Sequence, residues 1–379
     1  MILSTLKNIF FLLFFILFTE IELISQERCG TVQVTKNREI KYPAYKKNRK
    51  NVNIETDLWI KENYNNKSII TIPVVVHVVW SNSNQNISDI QIETQINVLN
   101  QDYRRDNIDQ INTPNVWQSI AADCEIEFCL AKIDPNGQES TGINRVQTNH
   151  GSFGMDNDIH TSSLGGADDW PNEDYLNIWV CDLEPGLLGY ATPPSNWIGD
   201  GDGVVIGYKY FGTTGTVQAP YNKGRTTTHE IGHWLNLNHV WGDSWGANGC
   251  NADDNVSDTP NQEEENYNCP GFPHNAAACN TSDGDMFMNY MDYTNDACMN
   301  LFTEGQKARM LAAITQYRPN MINHNLCNSH TNISESLINK KKLIKVIDFL
   351  GKELKINTSN KNCIYIYNDG SVEKKIILK

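Results

Sequence analysis

Residues 68–80 read SIITIPVVVHVVW, a β-branched apolar run bounded by Asn and Ser, and predict a strand that founds a sheet. In SDIQIETQINVLNQDYRRDN the pattern changes period. Ser88 and Gln91 form a capping box, and Ile92, Ile96, Leu99 and Tyr103 fall on one face of a long amphipathic helix packed on the sheet. CEIEFCLAKID (residues 124–134), YLNIWVCDL (175–183) and GDGVVIGYKYFG alternate or run apolar as strands do. The fold class expected is mixed α/β (α+β). From residue 241 to 273 the chain turns to Asp, Asn, Gly and Cys with few aliphatics, which predicts an ordered loop region held by something other than a core. Regular structure returns in TEGQKARMLAAITQYR, a helix that Thr303 and Gln306 can cap.

The ends of the chain follow other patterns. Lys7 followed by IFFLLFFILF (residues 9–18) reads as an export signal over residues 1–25, because ten apolar residues are too short for a bilayer core of ~30 Å. Residues 26–66 are polar, basic in patches and weakly periodic, a pro-segment or linker and not a core. Past Cys327 a polar stretch leads to a tail of short alternating strands, with Asp369 and Gly370 as a hairpin signal.

With 45 acidic against 31 basic residues the net charge is -14, which repels phosphate backbones and anionic lipid, so nucleic acid is not an expected partner. Export makes disulfides the expected state of most of the ten cysteines.

The stretch carrying chemistry is THEIGHWLNLNH (residues 228–239). His229 and His233, four apart on a helix, project from one face and can hold one ion, and Glu230 beside the first can reach a water on it. Three protein ligands with an open fourth position suit a catalytic Zn2+, which lowers the pKa of its water from ~15.7 to ~7; Glu230 would take that water's proton and pass it to the leaving amine. His239 is the third ligand only if the helix ends after His233, since six residues make 1.67 turns at 3.6 residues per turn. Asn236 stands where that break is needed, and Asn accepts positive φ.

His-Glu-x-x-His with a third His at this spacing resembles the metzincin zinc signature, with Asn236 in place of its glycine. The stretch MFMNYMDYTNDACMNLFTEGQ resembles the methionine turn of that clan, with Met291 as the apolar base under the imidazoles and Tyr293 as the tyrosine that steadies the tetrahedral intermediate. Together with IPVVVHVVW, LLGYATPP and YLNIWVCDL, the segment is similar to the pappalysin/cytophagalysin group of ulilysin-like enzymes. That resemblance implies a metzincin catalytic domain over residues 67–327, with a twisted mixed sheet, a long backing helix and an active-site helix. It also implies interleaved bridges Cys250 to Cys279 and Cys269 to Cys298, although four cysteines by themselves allow three connectivities. An acidic residue at the base of the pocket for the residue following the cut, here Asp296, would favour Arg or Lys, as a plain loop Asp would not.

Asp253, Asp254 and Asp258 with Thr259 concentrate carboxylates that a hard cation would neutralise, and the resemblance implies Ca2+, one or two ions, in this region. A solvated acidic loop is the alternative. Arg28, Cys29 and Gly30 match the Arg-Cys-Gly of the group's pro-segments: Cys29 would hold zinc in a latent form, Arg28 pair with a cleft carboxylate, and Gly30 allow close approach. The competing reading of Cys29 is an ordinary disulfide with Cys327 or Cys363. The tail, residues 337–379 after a linker at 328–336, resembles the C-terminal sorting domain of the type IX secretion system.

The function expected is a secreted, monomeric zinc endopeptidase made as a zymogen with a cysteine switch in residues 26–66. It acts on protein or peptide substrates, with the type IX secretion machinery as a transient partner and no stable membrane insertion of the mature form. A non-catalytic zinc- and calcium-stabilised adhesin, or a hydrolase of non-peptide amides, are the alternatives. Glu230 argues against the first, and LLGYATPP, as an edge strand able to pair an extended peptide, against the second.

Overall fold

The structure is a computed structural model that describes residues 28–63, 68–195, 201–243, 249–279, 283–328, 343–348, 350, 352–354, 363–367 and 372–375. The export signal at 1–25, most of the linker at 328–336 and the Asp369–Gly370 turn lie outside these residues. Among the described residues no helix is long and apolar enough to cross a membrane. The chain forms two compact units, Met1–Leu130 with Ile143–Asn323, and Ala131–Gly142 with His324–Lys379.

The first unit is built on one sheet. Its strands are β1 (Ile70–Trp80), β2 (Ile126–Leu130), β3 (Ile143–Gln147), β4 (Leu176–Cys181), β5 (Gly189–Ala191) and β6 (Gly203–Gly207). The order is β2-β1-β4-β6-β5. β1 pairs in parallel with β2 along its first half and with β3 along its second. Every other pairing is parallel except β5, which runs antiparallel to β6 and forms the sheet's edge. Side chains alternate across the pleat. Val74, Val76, Val78, Leu176, Ile178, Val180, Val204 and Ile206 enter one buried cluster, and Val79, Trp179, Cys181 and Val205 another on the opposite face.

The long helix α3 (Asp89–Tyr103) buries Ile92, Ile96, Leu99 and Tyr103 in the first cluster, on the face its periodicity predicts. Its capping box forms only in part. Ser88 accepts from Gln91 N, but the Gln91 amide donates to Phe211 O (2.9 Å) and is committed to the loop after β6. The capping box of α5 (Glu304–Tyr317) is complete between Thr303 and Gln306.

The weakly periodic segment before β1 is not a linker. It forms helices α1 (Thr31–Lys41) and α2 (Pro43–Asn63), which bury Val34, Tyr45, Val52 and Thr56. A polar helix is stable here because tertiary contacts supply what amphipathicity does not. The region 241–273 has only a short 3-10 turn at Gly249–Asn251 among its described residues, and the bridges Cys250–Cys279 and Cys269–Cys298 hold it. Cys129 and Cys327 are also disulfide-bonded, whereas Cys29, Cys124, Cys181 and Cys363 keep free thiols.

In the second unit, Asp134 Oδ1 accepts from Asn136 N and Gln138 N to close a turn. β7 (Leu343–Ile347), β8 (Glu353–Leu354), β9 (Cys363–Tyr367) and β10 (Val372–Lys375) form an antiparallel sheet of order β10-β9-β7-β8.

One polar group sits deep in the first unit. His77 on β1 donates from Nε2 to Asn177 Oδ1 (2.9 Å), accepts at Nδ1 from Asn144 (3.1 Å) and stacks on Trp179. These partners select the neutral ring, and burial depresses its pKa to about 4. An unfolded chain binds that proton near pH 6.5. The stabilisation is therefore complete above about pH 6.5 and is lost as pH falls toward 4. Unfolding free energy should decline between pH 6.5 and 4.5 by about 1.4 kcal/mol per pH unit for each proton taken up only on unfolding. His77→Gln should reduce that slope by about one proton in denaturant titrations, and an unchanged slope excludes His77 as its source.

Candidate metal centre

Helix α4 (Arg225–Trp234) carries the first two histidines and is buried along its whole length. Arg225 anchors its start, pairing with Asp102 (3.0 Å) and Asp109 (3.0 Å), while Asp102 also accepts from Thr228 Oγ1 (2.7 Å) and Tyr290 OH (2.9 Å). The helix stops where the third ligand requires. Leu235 is the C-cap, Asn236 takes φ 73°, and Leu237 N returns to Gly232 O (2.9 Å). The turn brings His239 back to the other two.

Each imidazole is oriented through Nδ1. His229 donates to Tyr290 O (2.7 Å), His233 to Leu237 O (2.8 Å) and His239 to Asp243 Oδ1 (2.7 Å). Carbonyl oxygens only accept, so the proton of His229 and of His233 is on Nδ1. Their Nε2 atoms therefore present lone pairs, yet the three Nε2 atoms stand 3.1, 3.2 and 3.3 Å apart. Protonation of His229 or His233 does not relieve the crowding. Burial and the neighbouring imidazoles hold His229 well below its usual pKa and His233 at about 3. A cation is the group that satisfies converging lone pairs, and all-nitrogen and sulfur donors suit zinc.

The Sγ of Cys29 completes the set. The ligand atoms of Cys29, His229, His233 and His239 lie within 4.8 Å of one another, and all four residues are buried. Burial, then the nearby Glu230 charge, pushes the Cys29 thiol up, and burial raises Glu230 to about 8. Three imidazole nitrogens and a sulfur converging at one buried point are a donor set that fits a zinc ion.

The other predicted residues fall around this point. Glu230 Oε2 accepts from Thr31 Oγ1 (2.8 Å) and Cys29 Sγ (3.4 Å), so both donors come from the segment before β1. Tyr293 packs its ring against His239 (centroids 5.0 Å apart), and its hydroxyl donates to the Cys29 carbonyl (3.4 Å). Met291 is fully buried beneath α4. A Cβ on Gly232 would collide with Met291 Sδ, which explains why the helix carries glycine between its histidines. Asp296 is buried, and its Oδ2 accepts from Lys223 N (2.8 Å) and Arg225 N (3.2 Å). Its Oδ1 lies 3.6 Å from Arg28 Nη2.

The acidic loop is arranged differently from the expected cation set. Asp253 accepts from Asn255 N, Asp254 from Val256 N and Thr259 Oγ1, and Asp258 from Thr303 Oγ1 and Gly305 N at the start of α5. These bonds occupy the carboxylates separately. Among the described residues, the zinc-type group is the only cluster of three or more His, Cys, Asp or Glu converging on a point.

Several site residues escaped the sequence reading. Asp243 fixes His239, and Trp241 stacks on the same ring (4.4 Å, 9°). The motif H-x-W-x-D was visible but has no period or spacing that demands a role. Thr31 could not be foreseen, because nothing local links it to Glu230. Asn236 has a second use: its Oδ1 accepts from Arg49 Nη1 (2.9 Å) and its Nδ2 donates to Thr56 Oγ1 (3.2 Å), both on α2. Partners of metal-binding histidines tune affinity by 10–100-fold. Asp243→Ala should weaken zinc retention by roughly that factor in competition with a chromogenic chelator, and unchanged affinity would remove Asp243 from the site.

Comparison with known proteins gives a consistent result. Residues 160–315 match the family model Peptidase_M43, pregnancy-associated plasma protein-A. An extracellular metalloprotease of Arthroderma otae is 30% identical over 258 residues, covering 66% of this chain and 79% of that protein. Mature mirolysin of Tannerella forsythia, solved with a cleaved peptide, is 52% identical, with a TM-score of 0.67, 69% of this chain covered and 100% of that one. A promirolysin mutant of the same organism is 46% identical, with a TM-score of 0.71, covering 78% of this chain and 97% of that one. The chain belongs to the pappalysin family of metzincin metalloproteases and is a zinc metalloendopeptidase.

Proposed function

We propose that this is an extracellular endopeptidase made as a zymogen, that Glu230 is its general base, and that it cuts peptides before arginine or lysine. The observation that carries the reading is the meeting of Cys29, Glu230 and three histidines at one buried point. Bound zinc would supply an acidified water and a Lewis acid for the scissile carbonyl. Glu230 holds one carboxylate oxygen, Oε1, without a partner, and this is the atom free to accept a proton from water and return it to the leaving amine. Tyr293 already donates to a peptide carbonyl beside the histidines, and in the active protease its hydroxyl would serve the carbonyl under attack.

The edge strand β5 favours an extended substrate. In the latent chain its free side is taken by the segment before α1, through Gly30 N to Gly189 O (2.9 Å) and Leu188 N to Arg28 O (3.2 Å). Arg28 sends its guanidinium toward Asp296, the residue proposed to receive a basic side chain after the cut. Latency then has three parts: Cys29 on the metal, Thr31 on Glu230, and Arg28 in the pocket. Cys29 carries a free thiol, which supports the switch over a disulfide.

Extracellular action rests on the naming of the relatives and on the signal-like N-terminus. The β7–β10 sheet supports a sorting role for residues 337–379. Truncation before residue 337 should leave the protease cell-associated in a host with type IX secretion, and normal release would refute that role. Calcium is proposed for the 253–259 loop on its clustered carboxylates. Loss of thermal stability on calcium-selective chelation would support it.

Glu230→Ala should lower casein hydrolysis by at least about 10²-fold. Turnover that survives both this change and zinc chelation overturns the metalloprotease mechanism. Cys29→Ala should give premature autolysis during expression, whereas a latent Cys29→Ala chain would sink the switch.

A further inference from the structure

We propose that Tyr221 makes the pocket following the scissile bond select arginine over lysine. The inference rests on the reading of Asp296 as the base of that pocket, and on what Arg28 shows of its walls. The Arg28 guanidinium meets four groups. Its carbon lies 4.9 Å from the centroid of the Tyr221 ring, Nη1 donates to the Thr294 carbonyl, Nη2 reaches Met299 Sδ (3.5 Å), and Asp296 Oδ1 stands 3.6 Å from Nη2. Arg28 itself is buried, as are Tyr221, Met299 and Asp296.

The carboxylate contact is the loose one of the set. Asp296 cannot turn both oxygens to the guest, because Oδ2 is held by the amides of Lys223 and Arg225 at the start of α4. A bidentate carboxylate fork, the usual basis for choosing arginine, is therefore absent. An ammonium would be served nearly as well by a single oxygen 3.6 Å away and a carbonyl. An ammonium can also lie over an aromatic face, but as a compact, strongly hydrated charge it must shed its water to do so in a buried pocket. The weakly hydrated guanidinium lies over the Tyr221 ring while its nitrogens reach Thr294 and Asp296, and an ammonium in its place loses more hydration for the same contact. The ring is fixed for this task. Tyr210 packs edge-on against it (centroids 6.1 Å apart), and Tyr221 N is bonded to Gln218 O (3.1 Å).

The test uses the mature protease and matched peptides that differ only in Arg or Lys after the cut. Wild type should favour Arg about 10-fold in kcat/KM, as stacking of a desolvated guanidinium allows. Tyr221→Phe should keep that ratio and Tyr221→Leu should reduce it to about 3-fold or less, with the change mainly in the Arg peptide. A ratio unchanged by Tyr221→Leu, or equal cleavage of both peptides by wild type, overturns the role of Tyr221 while leaving basic specificity intact. Absence of any Arg or Lys enrichment in wild type instead removes the underlying reading of Asp296. Because Tyr221 is buried, Arg28→Lys in the full chain gives a second measurement on an unaltered pocket. It should shorten the latent lifetime about 3-fold or more, and an unchanged lifetime counts against the proposal.

Discussion

Three imidazole nitrogens face one another at 3.1 to 3.3 Å in a buried site. Each ring spends its other nitrogen on a partner: a Met-turn carbonyl, a carbonyl one turn past the helix, and a carboxylate four residues on. Those partners come from different parts of the chain. The site therefore exists only if α4, the turn at Asn236 and the loop at Tyr290 are all in register. Much of the surrounding structure secures that register. Arg225, Asp102, Asp109, Thr228 and Tyr290 form a buried polar network between α3, α4 and the methionine turn, and every member is paired with another.

The residues before β1 complete this site and disable it. They bring a thiol to the histidine cluster, a hydroxyl donor to Glu230, a guanidinium to Asp296 and hydrogen bonds to the free edge of β5. Each contact occupies a group that catalysis would need. α2 extends the hold to the turn between the second and third histidines, where Arg49 and Thr56 bind the Asn236 side chain. The asparagine that replaces the glycine of the metzincin pattern keeps the backbone conformation and offers two extra hydrogen-bonding atoms. A glycine would supply only the first.

The strands, α3 and α5 were legible because their periodicities are strong and their faces are buried as the pattern requires. The helices of residues 31–63 were not, since their stripe is weak and their order comes from packing against the catalytic part. Gln91 shows how tertiary demand overrides a local motif: a capping glutamine was diverted to satisfy carbonyls of the loop after β6. The acidic loop shows the same effect for charge. Asp253, Asp254 and Asp258 cluster in sequence, and in space Asp258 also serves the start of a helix 45 residues away.

The sequence by itself singled out the three histidines and Glu230 and predicted the break at Asn236. These lie within eleven residues, where helix geometry alone dictates which side chains share a face. It also placed Cys29 as a ligand through the resemblance of its Arg-Cys-Gly context. Only the tertiary structure decided that Arg28 and Asp296 meet and that Thr31 covers Glu230. Those pairings join residues far apart in the chain and depend on how the strand edge, α4 and the loops pack. Long-range contacts leave no periodic mark on a single chain, because each partner's local pattern is the same whether or not the other is there.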